Sequence, residues 1–297
     1  MVGSALGDAI GELAFRHPDR SVLTEVVRNR PELDYTDDTA MALGIAESLL
    51  EKGALDQQHL GETFRRNFER EPWRGYASGP PTIFSRVRST GITYVEAARS
   101  LFQGAGSLGN GAAMRVVPVG LFFHDAADIY DKAAASAEVT HAHSVGMDGA
   151  AVQAKAIAMA IGLNPALKLS RQTFVNELID FAQSREIKSK MRLVSLLLEE
   201  NERPQRVADR LGRTVLMHES MPFAVYSFLK FPKSFEECLF CATLNGGDRD
   251  TLGAMACAVS GAYLGIDAIP NKWVERLENR ETIEHLAISL AKEAKGY

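Results

Sequence analysis

The chain has 297 residues, 46% hydrophobic and 24% charged, with 33 Lys and Arg against 38 Asp and Glu for a formal net charge of −5. That length buries a large core without disulfides or structural zinc. Its mild acidity, with pI near 5.9, excludes a surface whose main work is coating nucleic acid or an anionic membrane. Three cysteines, Cys238, Cys241 and Cys257, are sparse and odd in number for a secreted disulfide framework, so the chain reads as cytoplasmic.

The first residues carry Asp8 and Glu12 where a signal peptide has a basic start and an unbroken apolar run. Asp37–Lys52 sets Met41, Leu43, Ile45, Leu49 and Leu50 among good helix formers, with Gly53 placed as a C-terminal cap. Further helices are predicted over 60–70, 149–161, 171–184, 187–201, 204–211, 223–229, 235–245, 251–264 and 282–295. Residues 116–123 are the best strand candidate, but Pro118 and Gly120 break it. The stretch 252–266 is rich in Gly, Ala and Ser, falls short of the ~20 apolar residues of a membrane span, and reads as a buried helix. No fixed-spacing repeat or low-complexity linker divides the chain. Residues 1–297 are therefore read as one all-α domain. Its functional loops are 75–81 (GYASGPP), 104–111 (GAGSLGNG) and 141–149 (HAHSVGMDG).

Chemistry concentrates at two helix starts. Tyr35-Thr36-Asp37-Asp38-Thr39 opens the first strong helix, and helix capping alone explains such a cluster. Gly246-Gly247-Asp248-Arg249-Asp250-Thr251 repeats the pattern at a second helix start. Four carboxylates and two hydroxyls are hard oxygen donors that suit Mg²⁺ or Mn²⁺ rather than the sulfur and imidazole sites of zinc. If the two starts meet, the acids repel and raise one another's pKa until cations answer them.

The set GSALGDAIG (3–11), YTDDTAM (35–41), GSLGNGAAMR (106–115), THAHSVG (140–146) and GGDRDTLGAMACAVSGAYLG (246–265) resembles the ADP-ribosylglycohydrolases. These include the dinitrogenase reductase-activating glycohydrolases and the ADP-ribosylhydrolases, and the nearer likeness is to the ADP-ribosylhydrolase 3 branch. RGYASG (74–79) and HESMPFAVYSFL (218–229) extend the likeness over nearly the whole chain. The resemblance implies a compact orthogonal helical domain with a dimetal cleft. It also implies cleavage of the bond between ADP-ribose C1″ and an acceptor.

Carried over residue by residue, Thr36, Asp37 and Asp38 match one half of a site for two Mg²⁺ or Mn²⁺ ions, and Asp248, Asp250 and Thr251 match the other. Asp38 or Asp250 then assists the attacking water. Gly106, Ser107, Leu108, Gly109, Asn110 and Gly111 match a loop whose backbone N–H groups hold a diphosphate. Phe102 matches an aromatic that stacks on adenine, and His141 matches a substrate-side histidine. The implied partner is a protein or small molecule bearing ADP-ribose. The branch points to O-linked substrates, ADP-ribosyl-serine or O-acetyl-ADP-ribose, over arginine.

Several positions depart from that pattern. Phe15 stands where the family has a glutamate acting at the anomeric carbon. Glu12, one turn earlier and four residues after Asp8, is either its substitute or a solvated acid. Leu108 replaces a tyrosine beside the adenine, and His143 replaces a serine and reads as a surface or core-edge histidine. Arg249 replaces a small residue and faces either a substrate phosphate or an outer carboxylate. Cys238 and Cys241 read as buried small hydrophobes. The stripes Gly3, Gly7, Gly11 and Gly253, Cys257, Gly261 read as close helix packing. Phe15 also motivates a rival function, a catalytically weak ADP-ribose-binding regulator; a second rival is a dimetal hydrolase of another nucleotide or phosphoester. Setting aside Asp37, Asp38, Asp248 and Asp250 leaves 34 acids against 33 bases, so the excess acidity sits mostly in one site.

Overall fold

In a computed structural model of the chain, which describes residues 1–294, two helices cross at the distance of bare backbones. A Cβ on Gly7 of the helix Val2–Arg16 would lie 2.2 Å from the Gly253 carbonyl oxygen of the helix Arg249–Leu264. One on Gly3 would lie 2.8 Å from the Cys257 oxygen, and one on Gly11 would lie 2.5 Å from the Asp250 Cα. The glycine stripes thus do what their spacing predicts. They also carry Asp8 and Glu12, on the same N-terminal helix, up to the Asp248–Asp250 turn.

The described residues form seventeen α-helices and no strand, and no helix among them is long and apolar enough to cross a membrane. One continuous core runs from Val2 to Leu290. Asp37–Lys52 begins and ends where its caps predict, with Gly53 in the left-handed conformation at φ +65°. Residues Val117–Phe122 form a short helix with Pro118 in its first turn, where a missing N–H costs nothing. Cys238, Cys241 and Cys257 are free and buried. The last predicted helix is observed as Arg280–Glu293; Lys295 lies outside the described residues.

Two helices begin five or six residues earlier than predicted. Ser144–Ile161 starts five residues before Gly149 and absorbs most of the expected loop 141–149. Its glycines serve packing: a Cβ on Gly146 would meet the Ser107 oxygen at 2.8 Å, and one on Gly149 would meet Met217 Cγ at 2.2 Å. Met217–Lys230 likewise starts six residues before Phe223 and runs through Pro222. Tertiary packing there overrides the local preference for a break. This pair of early starts matters, because both helix N-termini border the cavity described next.

Candidate active site

The first acidic helix start is held from two sides. Thr36 caps Asp37–Lys52, its hydroxyl accepting from the Asp38 N–H at 3.4 Å. That hydroxyl donates to Asp8 at 2.8 Å, and Asp8 accepts further from the Thr39 hydroxyl at 2.6 Å and the Thr39 N–H at 3.0 Å. Asp8 is fully buried, and burial pushes its carboxyl up to about 6 against the pull of these donors. On the other side the Arg74 carbonyl accepts from the Asp37 N–H at 2.8 Å. The buried Arg74 guanidinium pairs with Glu278 at 2.6 Å and Glu71 at 3.0 Å and lies 4.2 Å over the Tyr35 ring.

The second start is turned by Gly246 and Gly247, both in the left-handed region, with φ of +85° and +78°. A Cβ on Gly247 would lie 2.0 Å from the Arg213 carbonyl oxygen, which accepts from the Asp248 N–H at 2.9 Å. Asn110 Nδ2 donates to Asp248 Oδ2 at 2.7 Å, fixing that carboxylate from the glycine-rich loop. The two starts meet at one cavity of about 610 Å³, walled on this side by Asp37, Asp38, Asp248, Asp250 and Thr251. Thr36 stands beside the wall, its hydroxyl donating to Asp8 and accepting from the Asp38 N–H, which leaves one oxygen lone pair for a cation.

Burial and mutual repulsion dominate this wall. Burial first, then Asp250, raises Asp38 well above the usual carboxylate range. Burial and Asp248 push Asp250 up to about 8, and burial and Asp8 push Asp37 up to about 7. Asp38 Oδ2 is buried without a hydrogen-bond partner, which is costly for an ionised oxygen. Among the described residues, no three acidic, histidine or cysteine side chains already close into a metal cage. The donor chemistry nonetheless fits a hard divalent cation: oxygen donors only, one of them buried and unanswered. Behind the acids lies Arg115, fully buried and lowered to about 9 by burial, although Asp37 and Asp38 oppose that shift.

The opposite wall is made of hydrogen-bond donors. Arg115 Nη2 donates to Thr140 Oγ1 at 2.6 Å, and Thr140 Oγ1 lies 2.7 Å from His141 Nδ1. With the Arg115 guanidinium donating to its oxygen, the Thr140 hydroxyl has its proton available for Nδ1, the arrangement in which His141 carries its own proton on Nε2. Burial, then Arg115, lowers His141 to about 3, so the ring is neutral at physiological pH. Gly111 is required beside it, since a Cβ there would sit 2.8 Å from His141 Cε1. Within the loop, Gly106 N–H donates to the Leu101 carbonyl, Gly109 N–H to Ser107 Oγ and Asn110 N–H to the Val215 carbonyl. Among the described residues the Ser107 and Leu108 N–H groups meet no protein acceptor. Phe102 lies at the cavity rim, 68% exposed, with Phe102 and Gln103 both in the left-handed region at φ +51° and +61°. Such strain in a bulky residue concentrates at functional sites.

A match to the ADP-ribosylglycohydrolase family spans residues 1–297. The chain belongs to this family. It is 33% identical to the human ADP-ribosylhydrolase ARH3, covering 98% of this chain and 91% of that protein. It is 34% identical to the Xenopus tropicalis ADP-ribosylhydrolase ARH3, with 92% and 88% covered. A solved structure titled ADP-ribosylglycohydrolase-related protein complex shares the fold, with a TM-score of 0.71 at 22% identity over 98% of this chain and 95% of that one.

Against the family pattern, Phe15 is 45% exposed and lies outside the cavity wall, as does the exposed Glu12. Glu12 still acts on the site at a distance, being among the charges that raise Asp250. Arg249 takes neither expected partner: its Nη1 donates to the Thr243 carbonyl at 2.5 Å, capping the end of the helix Phe235–Leu244. His143 is half-buried, as at a core edge, and in that place it caps Ser144–Ile161 and lines the cavity. Sequence reasoning missed Asp8, Arg74, Asn110 and Thr140 as supports, since each acts on a residue distant in the chain or through a bond that no spacing reveals.

Proposed function

We propose that the chain is a divalent-metal-dependent hydrolase that releases ADP-ribose from an acceptor, with O-linked substrates such as ADP-ribosyl-serine or O-acetyl-ADP-ribose favoured over arginine. One observation carries this reading: a wall of four aspartates, three of them raised and one, Asp38, with its Oδ2 buried and unanswered, faces a wall of hydrogen-bond donors across a single cavity. Family membership and the ARH3 relatives support the same substrate class.

Thr36, Asp37, Asp38, Asp248, Asp250 and Thr251 are assigned to hold two Mg²⁺ or Mn²⁺ ions. What the bound pair supplies is charge neutralisation for the carboxylates and activation of water near neutral pH. Asp38 and Asp250 would position a water at C1″, one of the two carboxylates taking its proton as the bond from C1″ to the acceptor breaks and the departing acceptor is protonated. The free N–H groups of Ser107 and Leu108 and the His141 Nε2–H hold the diphosphate, and Phe102 stacks on the purine. Glu12 is assigned as the substitute for the family glutamate that acts at the anomeric carbon, the place that Phe15 cannot fill.

The test is incubation of the purified protein with ADP-ribosyl-serine peptide, ADP-ribosyl-arginine and O-acetyl-ADP-ribose, with and without chelator. Release of ADP-ribose from the O-linked substrates, abolished by chelator, is expected. The exposed Phe15 supports one second reading, a catalytically weak ADP-ribose binder; ADP-ribose affinity without turnover of any substrate would favour it. Turnover of unrelated phosphoesters without ADP-ribose affinity would overturn both.

A further inference from the structure

His143 is an unusual helix cap. Ser, Thr, Asn and Asp ordinarily fill that position with a short acceptor. Here the imidazole Nδ1 accepts from the Val145 N–H at 3.1 Å, so a neutral ring carries its proton on Nε2. Among the described residues Nε2 has no protein partner. The His143 backbone is pinned to the glycine-rich loop: its N–H donates to the Ser107 carbonyl at 3.3 Å, and a Cβ on Gly106 would lie 2.7 Å from its nitrogen. The ring is half-buried on the cavity wall.

Two residues earlier, His141 Nδ1 lies 2.7 Å from the Thr140 hydroxyl, and with that hydroxyl as donor its ring likewise carries the proton on Nε2. His141, His143 and the amides of Ser107 and Leu108 therefore offer donors from one stretch of wall, while the carboxylates occupy the other. A ligand lying across the cavity places its acceptor-rich part, phosphate oxygens rather than sugar or purine, against this stretch.

We propose that His143 is a ligand-binding residue of this chain, its Nε2–H donating to the diphosphate of an ADP-ribosyl group beside His141. The proposal rests on reading the cavity as an ADP-ribose site. It explains why a position that needs only a small cap holds an imidazole.

Calorimetric titration of the Mg²⁺-loaded protein with ADP-ribose, ADP and adenosine tests it, comparing the wild type with His143→Ser and His143→Thr. Both replacements keep a capping oxygen, so the melting temperature stays at the wild-type value. The expected result is a rise in Kd of about tenfold for ADP-ribose and ADP, the scale of one charge-assisted hydrogen bond, with adenosine unaffected. Unchanged ADP-ribose affinity in both folded variants would overturn the proposal, as would an equal loss for adenosine. A wild-type protein that binds ADP-ribose no better than it binds adenosine would remove the underlying reading, and His143's role with it.

Discussion

Asp8 and Thr39 are joined twice, by the threonine hydroxyl at 2.6 Å and its N–H at 3.0 Å, across 31 positions of sequence. With Thr36 they form the joint that fixes where Asp37 and Asp38 stand. Asp8→Asn turns a donor, its Nδ2, toward groups that already donate, leaving buried N–H and O–H groups unanswered. We expect a loss of about 2–4 kcal/mol in urea denaturation, with weakened Mg²⁺ affinity. Thr39→Val, which removes one donor only, costs about 1–3 kcal/mol. Wild-type stability in Asp8→Asn would show that the joint is dispensable.

The raised acids set a pH dependence. Asp8, Asp37 and Asp250 have folded pKa values of about 6, about 7 and about 8, all above the ordinary 3.8. For an acid raised on folding, the stabilising contribution is complete below the unfolded value and is lost as pH rises through the folded one. In chelator the protein therefore loses stability from this cluster between about pH 4 and about pH 8, and bound Mg²⁺ offsets the loss. The melting-temperature difference between Mg²⁺-loaded and chelated protein is expected to widen from pH 5 to pH 8. An equal difference at both ends would refute the assignment of these carboxylates to a cation.

Two glycines of opposite kind separate packing from backbone freedom. A Cβ on Gly253 would lie 2.2 Å from the Gly7 carbonyl oxygen, backbone against backbone, whereas Gly53 has open space and only its φ of +65° to defend. Gly253→Ala is expected to cost more than about 3 kcal/mol and to separate Asp8 from the Asp248–Asp250 turn. Gly53→Ala costs about 1 kcal/mol and leaves Mg²⁺ binding intact. Urea denaturation and metal titration of both read the contrast; equal costs would remove the tight crossing from the account of the site.

The hydrogen-bond chain Arg115, Thr140, His141 makes a spectroscopic prediction. His141, lowered to about 3, stays neutral with its proton on Nε2 from pH 5 to pH 8. Nitrogen-edited NMR of the ring is expected to show that single tautomer in the wild type and a mixture in Thr140→Val, with Thr140→Ser restoring it. Titration of the wild-type His141 signal near pH 6.5 would contradict the buried relay.

What was legible in the sequence follows from how local each signal is. Asp37, Asp38, Asp248 and Asp250 were legible because each pair sits at a helix start with a threonine beside it. The packing stripes were legible because Gly7 and Gly253 repeat at helical spacing. Asp8 was visible only as an acid sharing a face with Glu12, since its partners lie on another helix. Gly146, Gly149 and Pro222 misled in the opposite direction: each is a local breaker, and each lies inside a helix because the Ser107 carbonyl, Met217 and the buried core around Phe223 decide the matter. His143 looked peripheral because its cap and its cavity contact depend on a helix that starts five residues earlier than its glycines suggest.

The acid at the anomeric carbon is the assignment with the smallest local signal, and its test is correspondingly direct. Glu12 is exposed, outside the cavity wall, and linked to the site only through its charge on Asp250. A general acid contributes roughly 10²–10⁴-fold to rate, while a mere neighbour that raises Asp250 contributes far less. Glu12→Gln is therefore expected to lower kcat by at least about 100-fold on an O-linked substrate, with ADP-ribose affinity unchanged. Asp250→Asn serves as the control and is expected to lose both turnover and Mg²⁺ affinity. If Glu12→Gln keeps wild-type kcat while Asp250→Asn is inactive, Glu12 is a solvated helix acid and the site works without a replacement for the glutamate that Phe15 displaces.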